Sequence, residues 1–378
     1  MCIRDSPKAF GLPYRPEMQI FYASNRPVST SDTATQLRAL EKTFNLAIEV
    51  HMSETAWMAD IVLPDLNYLE AWQLSPTRRT PRTTHTAIRQ PVVNVYDLPH
   101  DAFSILWELA KRLGLRDDYI RGINEAWQLE EHRFATGRDY TAREAVEILW
   151  AEKTRGKPFE VALAQGFVGE TLAAETVYGQ GVEARFTGPG RPKLKFYADQ
   201  MVHTMERVRQ VVAAHAIANI DIAEYQRAYS PLPRKAHAFP VPHRRDEDMP
   251  FYLITFKRMY RNQTACSNTN PILNQALGPD VDDNRVLMNA GAGRELGLRH
   301  GARVAVETRV GRVIGQVRFT EGIRPDTVAI SYHYGQESKG FPNFARKGIA
   351  VNRLLELHPD KVSGMSSFND TKCKVYRV

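Results

Sequence analysis

The sequence feature that most constrains the fold is an apolar run, Phe251 to Phe256, that ends abruptly in polar residues. The run is rich in aromatic and β-branched side chains, a composition typical of a buried strand. The polar residues behind it supply charge for phosphate and both donors and acceptors for a polar heterocycle. The stretch therefore indicates either a ligand-binding strand end or a solvated loop after an edge strand. The polar candidates are Lys257, Asn262, Gln263, Thr264 and Asn270.

Further short strands are predicted downstream of this run. Residues 303–308 alternate between apolar and polar side chains, residues 313–319 form a return strand after a turn, and residues 327–332 give another strand. A short helix over residues 289–297 precedes them and ends at Gly297. Much of the chain beyond residue 250 is thus predicted to be β-structure.

The N-terminal segment has a different pattern, in which strands and helices alternate. We predict strands over residues 18–25, 45–50 and 61–64, with helices over residues 33–43 and 52–60 between them. This alternation is typical of a parallel, doubly wound α/β sheet. Such sheets bind ligands beyond the carboxyl ends of their strands. Candidates at these ends are Ser24, Asn25, Glu54 and Thr55.

The charge of the chain favours an anionic partner. Its 378 residues carry a formal net charge of +7 and the pI is about 9.2. Because the charge is dispersed and no nucleic-acid-binding motif is present, a buried anionic ligand is favoured over nucleic acid. The cysteines, Cys2, Cys266 and Cys373, form no C-x-x-C pair, so we predict no iron–sulfur cluster or structural zinc within this sequence. No apolar run reaches transmembrane length.

Several segments resemble the dimethyl sulfoxide reductase family of molybdopterin oxidoreductases. Residues 53–64, SETAWMADIVLP, are close to a family signature, and residues 24–30, SNRPVST, resemble its asparagine- and proline-containing loop. Residues 296–336 and 348–375 follow the order of the family's C-terminal barrel. The resemblance implies an α/β plus β-barrel fold, with a six-stranded double-psi barrel of the aspartate decarboxylase type over the cofactor.

Three domains are implied. Residues 1–115 would be part of a doubly wound parallel α/β dinucleotide-binding domain. Residues 116–245 would be a mainly helical connecting region with a Pro-rich linker, and residues 246–378 the molybdopterin-dinucleotide-binding β-barrel. We expect the chain to be a fragment whose true start lies upstream.

The resemblance also implies a set of cofactor-binding residues, each with a structural alternative. Glu54 could instead serve as a carboxylate at a helix start, His333 as a strand-end histidine and Asn352 as a helix cap. No catalytic residue or metal ligand is assigned, because in the family the metal ligand comes from the N-terminal half. The implied cofactor-binding residues are Ser24, Asn25, Glu54, Thr55, Lys257, Asn262, Gln263, Thr264, Asn270, His333, Tyr334, Asn352, Asn369 and Lys372.

The functional expectation is the C-terminal part of a catalytic subunit that cradles bis(molybdopterin guanine dinucleotide) with molybdenum or tungsten. Its NQT and SYHYGQ segments resemble the branch that acts on sulfur or arsenic oxyanions. The implied partners are an iron–sulfur electron-transfer subunit and a membrane anchor. The implied location is the periplasm. Any iron–sulfur cluster of the catalytic subunit itself is expected in the part upstream of this sequence. The alternative is a molybdenum-free electron-transfer scaffold like the large subunit of NADH dehydrogenase.

A basic, threonine-rich segment over residues 67–94 has two interpretations. We predict that it is a loop, and in the family a loop at this place lies near the substrate funnel. It could therefore attract an oxyanion, or it could be a solvated surface loop or a subunit contact. Its basic residues include Arg78, Arg79, Arg82, His85 and Arg89.

Overall fold

The computed structural model of the chain describes residues 16–79, 82–174, 197, 199–217, 222–223, 247–261, 268–281, 284–357, 366, 368–369 and 371–378. The chain divides into two compact units, one formed by Met1–Leu63 with Phe196–Val378 and the other by Pro64–Lys195. The domain bounds at residues 115 and 245 stay predictions. Most of the predicted Pro-rich linker, residues 231–246, lies outside the described residues.

An α/β lobe opens the described part of the first unit. Its strands form one sheet in the order β1-β2-β3, and β1 runs parallel to β2 with Met18 opposite Phe44. The predicted parallel pairing is thus confirmed for these two strands, and the doubly wound arrangement stays a prediction. The elements are β1 Met18–Tyr22, α1 Arg26–Ser29, α2 Thr33–Leu40, β2 Phe44–Glu49, α3 Glu54–Trp57 and β3 Ile61–Pro64.

Two helices of this lobe begin at capping side chains. The Asp32 carboxylate accepts a hydrogen bond from the Thr35 amide at 3.1 Å, and the Ser53 hydroxyl accepts one from the Ala56 amide at 3.2 Å. Such caps satisfy amides that have no partner inside the helix. The cap at Ser53 places Glu54 in the first turn of α3, which is shorter than the helix predicted over residues 52–60.

The second unit combines a three-stranded antiparallel sheet with helices. Helices α6 and α7 pack on the sheet through a cluster that contains Trp150, Phe159 and Ile88. A second cluster is built around Trp107, which is 2% exposed. The elements are β4 Gln73–Arg79, β5 Thr83–Arg89, α4 Ala102–Arg112, α5 Arg116–Ala126, α6 Ala142–Thr154, α7 Phe159–Gln165 and β6 Phe167–Thr171.

The predicted loop over residues 67–94 is wrong, because β4 and β5 pair there as a hairpin. On β5 the side chains of Thr86 and Ile88 are buried while their neighbours are half-buried, which is the alternation of a strand with one packed face. Threonine is β-branched and favoured in strands, so the threonines that suggested a loop are consistent with the hairpin. The mainly helical character expected of residues 116–245 holds for α5 to α7 but not for β6.

The rest of the first unit consists of helix α8 and a closed barrel. The barrel order is β10-β8-β11-β7-β12-β9, with β7 parallel to β11 and β8 parallel to β10. This confirms the closed six-stranded barrel, whereas its double-psi connectivity stays a prediction. The elements are α8 Asp199–Ala214, β7 Phe251–Phe256, α9 Pro271–Val281, β8 Val286–Asn289, α10 Ala290–Glu295, β9 Arg303–Glu307, β10 Arg312–Thr320, β11 Thr327–Ser331 and β12 Thr371–Arg377.

The barrel interior is filled by aliphatic side chains from all sides. Leu253, Val304, Val328 and Ile330 are fully buried members of one cluster. All five residues of β11 are buried. Because successive side chains of a strand point to opposite faces, both faces of β11 are covered. None of the described helices is both long and apolar enough to cross a membrane.

Replacement of Leu253 by alanine should lower the free energy of unfolding by about 2–5 kcal/mol, because it leaves a cavity in a packed core. Ile314→Ala is the matched control, since Ile314 is 42% exposed on β10. Urea unfolding of the 378-residue chain measures both. Equal losses for the two variants would contradict the assignment of Leu253 to the core.

Candidate functional site

A cavity of about 430 Å³ lies where two parallel strands of the barrel end. Ser331 at the end of β11 is opposite Phe256 at the end of β7. The residues that follow the two strands therefore meet at one edge of the barrel, where ligands of such sheets bind. Four predicted residues line this cavity together: Lys257, His333, Asn352 and Asn369.

A second cavity of about 150 Å³ shares Tyr332, His333 and Asn352 with the first. Its walls come from the α/β lobe as well as from the barrel. Among the predicted residues it adds Glu54 and Tyr334. The structure thus brings six of the predicted residues to two adjoining cavities.

His333 is the most unusual of these residues. It has a left-handed backbone with φ of +75°, and both of its ring nitrogens are buried with no hydrogen-bond partner among the described residues. Burial, with the nearby charge of Lys257, lowers the pKa of His333 to about 4. An imidazole kept neutral and unsatisfied in a cavity costs stability and indicates a group that a ligand would satisfy.

The backbone around His333 is held firmly. Asn268 donates a hydrogen bond to the His333 carbonyl at 2.6 Å, and the Gly335 amide donates to the Lys347 carbonyl at 2.9 Å. Gly335 has φ of +68°, and a Cβ there would lie 2.3 Å from the Ala350 nitrogen. Only glycine fits this close approach, so the loop presents the imidazole in a fixed position.

A buried arginine supports the same loop, and the sequence did not indicate its role. The Arg261 guanidinium, on a residue that is 1% exposed, donates to the side-chain oxygens of Asn268 at 3.0 Å and Asn274 at 2.7 Å. It also lies 5.5 Å from the ring centroid of Tyr334. Arg261 and Asn268 belong to the polar stretch after β7, but no local pattern tells a supporting residue from a ligand-facing one.

Glu54 joins the α/β lobe to the barrel loop. One carboxylate oxygen accepts from the amides of Glu337 at 2.5 Å and Ser338 at 3.1 Å, and the other accepts from Nδ2 of Asn25 at 2.6 Å. The Ser338 hydroxyl in turn donates to the Met52 carbonyl. Both oxygens of Glu54 are thus engaged by the chain itself, and its cofactor contact stays a prediction.

Asn352 makes a second connection of this kind. Its Nδ2 donates to the Val28 carbonyl at 2.6 Å, and the Asp32 amide donates to the Leu355 carbonyl at 2.9 Å. Thr55 supports the lobe side, since its hydroxyl accepts from the Arg26 amide at 2.8 Å. These contacts hold Asn352 at the boundary of both cavities.

The remaining predicted residues lie elsewhere or outside the described part of the chain. Asn270 is exposed and its side chain accepts from the Leu273 amide in the first turn of α9. The Lys372 ammonium donates to the Pro250 carbonyl and lies over Tyr252, at the opposite end of β7 from the cavity. The Ser24 amide donates to Glu49 at 2.7 Å. Asn262, Gln263 and Thr264 are outside the described residues.

Comparison with known proteins agrees with this geometry. A protein-family model described as "Molydopterin dinucleotide binding domain" matches residues 251–372, which hold strands β7 to β11, the start of β12 and most residues of the larger cavity. The acetylene hydratase from Pelobacter acetylenicus has a similar fold, with a TM-score of 0.62 at 19% identity over 100% of this chain and 46% of that chain. The barrel is therefore that of a molybdopterin-dinucleotide-binding protein.

Curated relatives extend the similarity to nearly the whole chain. The molybdopterin-containing subunit of the arsenate respiratory reductase of Chrysiogenes arsenatis is 27% identical over 94% of this chain and 45% of its own. A tetrathionate reductase chain of Salmonella typhimurium is 26% identical over 81% of this chain and 31% of its own. These matches support a place for the chain in the C-terminal region of a dimethyl sulfoxide reductase family molybdopterin subunit. The chain spans less than half the length of these two relatives.

Glu54→Ala should destabilise the chain more than Glu54→Gln. In the alanine variant the backbone amides of Glu337 and Ser338 lose their acceptor. Each amide that stays buried should cost about 1–3 kcal/mol of unfolding free energy. The glutamine variant keeps one side-chain oxygen that can accept from these amides. Urea unfolding of both variants measures the difference. An equal loss of unfolding free energy in the two variants would show that the hydrogen bonds of Glu54 contribute little to the contact between the lobe and the barrel loop.

His333 should make stability depend on pH between about 6.5 and 4. Because the folded pKa is about 4 and the ordinary value is 6.5, the unfolded chain binds a proton in this window that the folded chain does not. Stability is therefore lost as pH falls from 6.5 towards 4. His333→Asn, which tolerates the left-handed backbone, should flatten the plot of unfolding free energy against pH. An unchanged slope would contradict the lowered pKa.

Proposed function

We propose that this chain binds part of a molybdopterin guanine dinucleotide cofactor in the larger cavity. The observation behind the proposal is the imidazole of His333, whose two nitrogens are buried in that cavity without partners. Lys257, Asn352 and Asn369 line the same space. The cavity volume of about 430 Å³ lies within the range of roughly 300–1,000 Å³ typical of small-molecule sites.

The residues present fit the chemistry of such a cofactor. Its pterin carries alternating donors and acceptors, and a neutral imidazole can offer one N–H and one acceptor nitrogen. Lys257 supplies a point charge suited to a phosphate oxygen. A bound molybdenum or tungsten cofactor would supply two-electron redox chemistry, while His333, Lys257 and Asn352 would hold and orient it.

We further propose that the whole protein is an oxidoreductase that reduces an oxyanion of sulfur or arsenic. The support is the set of relatives, which include subunits of arsenate, tetrathionate and thiosulfate reductases. A membrane anchor, an iron–sulfur electron-transfer subunit, and a periplasmic location complete the proposal. The cluster-binding cysteines and the metal ligand would belong to a part of the protein beyond this sequence.

Cofactor content tests the proposal. In a host that makes the cofactor, Lys257→Gln and His333→Asn in the complete protein should retain pterin roughly tenfold more weakly, since each loses a hydrogen bond to a charged or buried partner. Pterin fluorescence after denaturation and molybdenum by mass spectrometry measure the retention. Reduction of arsenate, tetrathionate and thiosulfate by a reduced dye then identifies the substrate.

The control is Lys339→Gln, which removes an exposed charge from the same unit outside both cavities. It should leave the cofactor content unchanged. Wild-type protein without pterin or metal would favour the molybdenum-free scaffold. Cofactor bound equally by all variants would place it elsewhere in the protein.

A further inference from the structure

A separate cavity of about 320 Å³ lies in the second unit, outside the molybdopterin site. One wall is the strand pair β5 and β6, and the other is the connection between α6 and α7. Three cations line it, Lys153 from the last turn of α6 and Arg155 and Lys157 from the connection. The match to the molybdopterin dinucleotide binding domain begins at residue 251 and does not reach this cavity.

Local geometry explains why the three cations converge. Helix α6 ends at Arg155, whose left-handed backbone has φ of +57°. The Gly156 amide then donates to the Ala151 carbonyl at 2.8 Å, which closes the helix end. Beyond it, the indole nitrogen of buried Trp150 donates to the Lys157 carbonyl at 2.9 Å. The core of the unit thus fixes the backbone from which the cations project.

The opposite wall offers further hydrogen-bond donors. Thr84 is opposite Glu170 and His85 is opposite Gly169 in the β5–β6 pair, and all four residues line the cavity. A Cβ on Gly169 would lie 3.1 Å from the Thr84 carbonyl oxygen and 3.5 Å from Cβ of His85. The absence of a side chain at residue 169 therefore keeps the space beside His85 open.

The charges in this cavity are unbalanced. Three cations face one carboxylate, that of Glu170, and none of the three forms an ion pair with any residue in the described ranges. Lys153 donates to the Trp127 carbonyl and lies in the last turn of α6, where a cation interacts favourably with the helix dipole. That interaction does not account for Lys157, which lies beyond the helix. An anion held among the cations would relieve their mutual repulsion.

We propose that this cavity binds a tetrahedral oxyanion of the sulfate or phosphate class, either as a free ion or as the end group of a small organic molecule. Arg155 and Lys157 supply charged donors, and Thr84 and His85 supply further donors from the facing wall. Glu170 disfavours a second anion beside the first. The site is independent of the proposed cofactor, because none of its residues belongs to the unit that holds the molybdopterin cavity.

Calorimetric titration of the 378-residue chain at low ionic strength tests the proposal with sodium sulfate, inorganic phosphate and glycerol 3-phosphate. We expect saturable binding at one site. Arg155→Asn, chosen because asparagine tolerates the left-handed backbone, and Lys157→Gln should each weaken it about tenfold. Tighter binding of glycerol 3-phosphate than of phosphate identifies the anion as an end group, and equal binding identifies a free ion.

The control is Arg133→Gln, which removes one exposed charge from the same unit outside the cavity. It should change the affinity less than about twofold, since only the general field of the protein changes. Thermal melting without added anion verifies that each variant is folded, and Lys157→Gln serves alone if Arg155→Asn does not fold. Absent binding, equal weakening by the control, or equal affinity for nitrate would overturn the proposal.

Discussion

The candidate site depends above all on the parallel pairing of β7 and β11. Their register puts Phe256 beside Ser331, and the Tyr332 amide extends the ladder by donating to the Phe256 carbonyl at 3.2 Å. Both strands then leave the barrel at the same edge. Lys257 and His333 become neighbours for this reason, although they are far apart in the sequence. A one-residue slip in this register would turn each side chain to the other face of the barrel.

Hydrogen bonds join the α/β lobe to the barrel loops at the site. Carbonyl oxygens at Val28 and Met52 accept from barrel side chains, and Glu54 accepts from barrel amides. Unsatisfied buried atoms remain nearby among the described residues: both ring nitrogens of His333, Oδ1 of Asn25 and both side-chain polar atoms of Gln336. Polar groups that are satisfied support the structure, and those left over mark where a ligand is expected.

The sequence was sufficient for the parts of the fold that follow local patterns. The strand at Phe251–Phe256 and the alternation of the first lobe are periodic, and both appear in the structure. That Lys257 and His333 belong to one site was implied by the family resemblance, not by a local pattern, and both line one cavity. The inward role of Arg261 did not follow, because its partners Asn268 and Asn274 reach it only through the fold of the loop. Lys372 was implied to bind the cofactor but lies at the opposite end of β7 from the cavity. Its local sequence gives no sign of which end of the barrel it faces.

The barrel also has a consequence for the time order of folding. Strand β12 comes last of the six along the chain and pairs with both β7 and β9, and the Thr255 amide is bonded to Asn369 across 114 positions. Until β12 arrives, β7 and β9 each expose an open edge that another chain could pair with. Contacts of such long range form slowly. The cavity around His333 gains its Asn369 wall when β12 closes the ring, and we expect the open barrel to be more prone to aggregation than the closed one.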